Sequence, residues 1–369
     1  MNSQPWIENK YLDSLALFAL PLISVLILFK GFKFDLASSL LSIFAVISFI
    51  DSGHLLGHWV RIFTNPLETN KSRTRYVLGF FIILFLVSIL LMQKFPVMVI
   101  VLYLSIFHVA RQQYGIIRLY TKKESELDIR LQYLNKIFMH LIMFYPILVW
   151  HTTDYHKLHI WKPDQLEIPG VDVLIPIFAS LYFISALSYC YSEYQLTKKL
   201  GLFNIPKNMV VLANLLVWHY GILYQRHTEL LLFGIVIQHG LSYFYIIWVT
   251  GRRDEAAMKN HQVFKKRWLP FRWTSYFGFF ILFIGVNAIS LSILSLVQWL
   301  LGGSHQQYFL IGDFIKNLPK FNIERNYFYY LIFSVPITFQ IVHFIYDGFI
   351  WGRKKDYWNS INTKCDKHM

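Results

Sequence analysis

Along the chain, apolar runs of about twenty residues alternate with short polar connections, the length a bilayer's hydrocarbon core requires of a helix. The runs lie at about 12–29, 37–62, 76–93, 96–118, 131–150, 171–192, 208–226, 229–249, 274–301 and 327–351. The pattern predicts an all-α polytopic transmembrane bundle of about ten spans, with residues 1–369 forming a single integral membrane domain. The longest connections are 151–170, 250–273 and 302–326, and the last has room for a short interfacial helix from Tyr308 to Leu318. No internal repeat or low-complexity tract interrupts the pattern.

Composition agrees. Charged residues make up 15% of the chain, against roughly a quarter in soluble domains, and mean hydropathy is +0.42. A net charge of +14 suits nucleic acid only if the charge is clustered, and here it is sorted between alternate loops. The N-terminus and the loops after even-numbered spans hold 24 Lys and Arg, and the opposite loops hold 9. By the positive-inside rule both termini are cytoplasmic, as in a multi-pass protein of a bacterial-type inner membrane, with membrane lipids rather than nucleic acid as partners. The first apolar run lacks a basic leader and a small-residue cleavage site, so it reads as a retained helix. Cys190 and Cys365 make no thiolate metal motif.

Polar residues inside the runs carry the chemistry. Six of the ten spans hold seven of the fourteen histidines: His54, His58, His108, His140, His219, His239 and His343. On a helix His108, Arg111, Gln112 and Gly115 share a face, and that face is expected to be received inside the protein, because hydrocarbon satisfies none of its polar groups. Asp51, His54 and His58 repeat the i, i+3, i+7 spacing, as do Gln340, His343 and Asp347. Counted at about 1.5 Å per residue, His108, His140, His219 and His239 fall in one layer near mid-membrane, with His54 and His343 about 6 Å toward the cytoplasm. Imidazole suits iron, zinc, copper and nickel, and a nearby carboxylate either joins as ligand or orients a ring. So many imidazoles exceed one tetrahedral site. The expected metal ligands are therefore His54, His58, His108, His239 and His343, followed by His219 and Asp347. The metal is expected to be one or two ions of iron or another transition metal. Arg111, Gln112 and Asp51 are expected to hold ring orientation and balance charge around the reaction. Plainer roles exist as well. A single intramembrane histidine such as His140 or His219 can be a helix-to-helix hydrogen bond, Arg111 can pair with Asp51 or Asp347, and Gln112 can bridge helices.

His54-Leu-Leu-Gly-His58, near the cytoplasmic end of a span, resembles the HxxxH box of the membrane histidine-cluster iron enzymes, which include fatty-acyl desaturases, hydroxylases and alkane monooxygenases. The chain lacks their HxxHH boxes, and its histidines lie within the membrane. The layer of single histidines is also similar in style to the bacterial carotene-cleaving membrane oxygenases. These resemblances imply a non-haem iron oxidoreductase that uses oxygen against a C–H bond of a lipid-soluble substrate, with an external electron donor where one is needed. Gln238-His239-Gly240 resembles the Trp-His-Gly region of membrane-bound O-acyltransferases, which implies an intramembrane catalytic histidine instead. A haem protein with two axial histidines and a proton-coupled transporter complete the alternatives.

Overall fold

A computed structural model of the protein describes residues 4–23, 26, 54–55, 59, 62–63, 70–93, 97–121, 127–152, 170–224, 228–258 and 327–352. Among these residues the regular structure is entirely helical. The elements are α1 (Lys10–Ser14), α2 (Asn70–Met92), α3 (Val97–Leu119), α4 (Ile129–Trp150), α5 (Val171–Leu200), α6 (Ile205–Leu215), α7 (Thr228–Met258) and α8 (Tyr327–Gly352). π-helical turns continue α1 at Leu15–Ala19 and α6 at Leu216–Tyr224. Seven of the expected spans thus fall on helix. The ninth, and most of the first and second, lie outside the described residues.

Residues 73–92 of α2, and the whole of α4 and α5, are long and apolar enough to cross a membrane. Apolar side chains stand exposed on α2 and on α5, each within its own compact unit: Leu78, Phe81 and Phe85 on α2, and Val173, Ile177 and Phe183 on α5. In water such continuous apolar faces would be an aggregation liability, whereas lipid solvates them.

Local chemistry sets the helix ends. Asn9 caps α1 by accepting from the Tyr11 and Leu12 amides at 3.0 and 2.9 Å, and Asp128 caps α4 by accepting from Arg130 N at 2.7 Å. α5 stops at Gly201, whose φ of +65° is the left-handed conformation that glycine adopts without Cβ strain. Asn204 then opens α6, accepting from Lys207 N at 3.2 Å, with Pro206 in the first turn, where no amide donor is required.

The chain divides into two compact units built from interleaved segments: Met1–Asp51, Phe107–Tyr245 and Gly302–Lys316 in the first, and Ser52–Ile106, Ile246–Leu301 and Asn317–Met369 in the second. In the first unit α4 packs along α5, with Phe138 stacked on Tyr182 at 5.7 Å and Tyr145 on the same ring at 5.2 Å. In the second unit α2 packs along α8. Val87, Val97 and Val101 form one core there with Ile337 and Ile341, and Ile62, Tyr76, Val342 and Tyr346 form another with Trp59. Ser88 donates to Ser334 at 2.8 Å, and Tyr346 donates to the Tyr76 carbonyl, fixing the register of α2 against α8.

Candidate metal-binding groups

In the second unit, the α2–α8 packing holds α8 so that His343 and Asp347, one turn apart, present the same face. His343 Nε2 lies 3.7 Å from Asp347 Oδ2, which is longer than a hydrogen bond. The His54 ring meets His343 edge-on, with centroids 4.6 Å apart and planes at 83°. All three residues are buried. A ligand atom of His343 lies within 4.8 Å of one on His54 and of one on Asp347. Two imidazoles and a carboxylate are the donor set that suits non-haem iron with open positions.

In the first unit, α3 and α7 bring His108 and His239 together, both buried, with centroids 5.2 Å apart and planes at 85°. One turn along α3 from His108, Gln112 donates from Nε2 to the His239 carbonyl at 3.0 Å, tying the two helices beside the rings. Tyr243, one turn along α7, tilts against His239 at 6.4 Å.

The spacings can be tested against a shared ion. A metal sits about 2.0–2.1 Å from an imidazole nitrogen, and the ring centroid lies about 1.1 Å beyond, so two rings on one ion stand about 4.5 Å apart at a right angle, about 5.2 Å at a tetrahedral angle and about 6.3 Å in trans. The two pairs, at 4.6 and 5.2 Å, fit neighbouring coordination positions and are too close for opposite ones.

The remaining expected residues sort differently. His58 and Asp51 lie outside the described residues. His219, in the π-helical turn, stacks on Tyr182 at 5.4 Å and joins neither histidine pair. His140 binds the Lys136 carbonyl through Nδ1 at 2.8 Å and tilts against Tyr114 at 4.6 Å. Arg111 departs from expectation. His108 and Gln113 turn inward, but Arg111 and Gly115 are exposed, so the face they were expected to share is not received as one. The arc centred on Val109, Ala110, Gln113, Ile116 and Ile117 is buried instead. Arg111 falls about 60° from His108 at 100° per residue, on the side away from that arc.

Two buried polar clusters in the first unit escape a reading by apolar run. Asp13 accepts from the Ile7 and Glu8 amides at 2.6 and 3.1 Å, from the Tyr120 hydroxyl at 2.7 Å and from the Tyr245 hydroxyl. Burial, reinforced by the Asp13 carboxylate, pushes the Tyr120 hydroxyl far above the ordinary phenol range. Lys207, counted above among the loop cations, is fully buried in an ion pair with Glu193 and lies over the Tyr189 ring at 5.2 Å. Glu193 is the clue the sequence offers, an acid one residue past the apolar run 171–192.

No family model matches the chain, and neither do the curated proteins or the solved structures.

Proposed function

We propose that the protein is a multi-pass membrane enzyme, a metal-dependent oxidoreductase that uses iron to act on a lipid-soluble substrate. The observation that carries this reading is the surroundings of His343, buried with the His54 ring edge-on to it and the Asp347 carboxylate one turn along α8. The His108–His239 pair, at coordination spacing, is the second reason. The separation of 24 and 9 cationic residues between alternate loops supports about ten spans with both termini in the cytoplasm.

Iron with open coordination positions supplies oxygen activation for C–H oxidation. The chain's own residues do the rest. Asp347 offsets cationic charge where the imidazoles, neutral as ligands, cannot. Gln112 clamps α3 to α7 beside His108 and His239 and so holds those rings in place. Apolar side chains on the surrounding helices exclude water from the reacting groups. Electrons beyond those the substrate yields come from an external donor. Centroid spacings below the trans value weigh against either pair acting as the two axial ligands of one haem.

Elemental mass spectrometry with an optical spectrum tests this on detergent-purified wild type beside His54→Ala and His343→Ala. One or two irons per chain in the wild type, lost in both variants, is the expected result. A folded wild type that stays metal-free after anaerobic reconstitution with Fe(II) overturns the reading.

A further inference from the structure

Arg111 stands on the outward side of the first unit with its guanidinium 5.7 Å from the centre of the Phe107 ring. Among the described residues it has no ion pair and no hydrogen bond. Its depth follows from α4, one of the helices long and apolar enough to cross a membrane. Phe107 stacks on Phe144 at 6.4 Å and Tyr114 tilts against His140 at 4.6 Å, so α3 from Phe107 to Tyr114 runs beside the middle of α4. His140 is about 15 Å from either end of α4.

An arginine placed there ordinarily extends along the surface to the nearer interface. Arg111 is about 12 Å from the Leu119 end of α3, the cytoplasmic end in the orientation that the loop charges favour. Its guanidinium lies over Phe107, one turn toward the middle of the span, the direction in which helical side chains lean. A charge at that depth, with no ion pair among the described residues, gains from an anion arriving from the lipid. The neighbouring groups suit one. His140 keeps Nδ1 on the Lys136 carbonyl, leaving Nε2 as the nitrogen available to an incoming group. Phe107 and Phe144 supply an apolar wall.

We propose that Phe107, Arg111, Tyr114, His140 and Phe144 form a bilayer-facing site for the carboxylate of a long-chain acid. A guanidinium presents a planar fork matched to two carboxylate oxygens. A single cation balances a single negative charge, which favours a monoanionic carboxylate over a phospholipid headgroup carrying further polar groups into the apolar layer. The site rests on the membrane reading of α3 and α4 and is independent of iron.

Electron paramagnetic resonance on the full chain in phosphatidylcholine nanodiscs at pH 8 tests the site. The probes are spin-labelled stearic acid, its methyl ester and spin-labelled phosphatidylglycerol. The wild type is expected to restrict the acid over the ester by at least about threefold, since only the acid makes a charge-assisted bond to the guanidinium. Arg111→Gln is expected to bring the acid down to the ester's level and Arg111→Lys to retain part of the preference, while Arg118→Gln leaves it unchanged. Equal restriction of acid and ester by the wild type overturns the proposal without needing any variant. So does an acid preference that survives Arg111→Gln, or a preference for phosphatidylglycerol over the acid. Metal content measured on the same nanodiscs keeps a failure here distinct from a failure of the iron reading.

Discussion

Asp13 and Asp347 are both buried carboxylates, one in each unit, and they differ in one neighbour: Asp347 has an imidazole beside it. Asp13 is ringed by donors: two backbone amides and two tyrosine hydroxyls share its oxygens. With its lone pairs so occupied, the charge has no use for a cation, and the group fastens the N-terminal segment to Tyr120 and Tyr245. Asp347 lies beside an imidazole at a separation longer than a hydrogen bond, and that imidazole meets a second one edge-on. Donors built into the fold make a carboxylate a structural element. Imidazoles at coordination spacing suit it to an ion.

The largest expected difference between the two is in metal content. Removing a ligand costs more than the 10- to 100-fold in affinity typical of an outer partner. Asp347→Ala and His343→Ala are therefore expected to lower iron affinity by at least about 100-fold, with the helical circular dichroism retained. Asp13→Ala is expected to leave iron per folded chain unchanged. Iron titration of apo-protein, wild type beside the three variants, reads this directly. Equal loss in Asp13→Ala and Asp347→Ala would erase the distinction.

Stability is expected to move the other way. Asp13→Ala leaves two buried phenol hydroxyls without their acceptor, and unsatisfied buried donors cost about 1–3 kcal/mol each, so a loss of roughly 3 kcal/mol is expected. Thermal unfolding in detergent measures it, and Asp13→Asn, which keeps an acceptor oxygen, is expected to recover part of the loss. A melting temperature as high in Asp13→Ala as in the wild type would show that the ring of donors contributes nothing.

The same contrast explains what the sequence disclosed. Apolar runs located the helices because every residue in a run contributes to the signal. His343 and Asp347 were legible because both sit on one helix turn, where spacing alone places them on one face. Asp13 was not, because Tyr120 and Tyr245 lie 107 and 232 residues away, and nothing in a local pattern pairs them. Lys207 was counted as a loop cation because its partner, Glu193, lies across the Gly201 turn. The α3 face was misassigned at Arg111 because a four-residue pattern marks a stripe about 100° wide, and His108 stands at the edge of the buried arc rather than its centre.

Next in size is the packing that positions His343. A Cβ built on Gly79 would sit 2.5 Å from the Tyr346 hydroxyl oxygen, and the Tyr346 ring is wedged against Tyr76 at 4.8 Å and Trp59 at 5.9 Å. Overpacking costs about 1–3 kcal/mol, against about 1 kcal/mol that alanine gains over glycine in a helix. A net loss of about 1 kcal/mol is therefore expected for Gly79→Ala. Adding Tyr346→Phe removes the clashing oxygen, so the double variant is expected to lose less than the sum of the two single changes. Strict additivity in unfolding measurements would mean that the two positions do not interact.

The smallest effect brings the first unit's pair into the comparison. Gln112 touches His239 only through its carbonyl, so Gln112→Ala removes no nitrogen that could bind metal. It removes one hydrogen bond between α3 and α7, worth about 0.5–1.5 kcal/mol. If His108 and His239 serve a metal, loosening the helices beside them is expected to weaken iron binding by up to about tenfold, the lower range for an outer partner. If they are simply packed rings, the change is expected in the melting temperature alone. Gln112→Met keeps the side-chain volume and deletes only the bond, so iron affinity in that variant, at matched stability, separates the two. A tenfold drop assigns the His108–His239 pair to the metal, and an unchanged affinity leaves the ligand set to His54, His343 and Asp347.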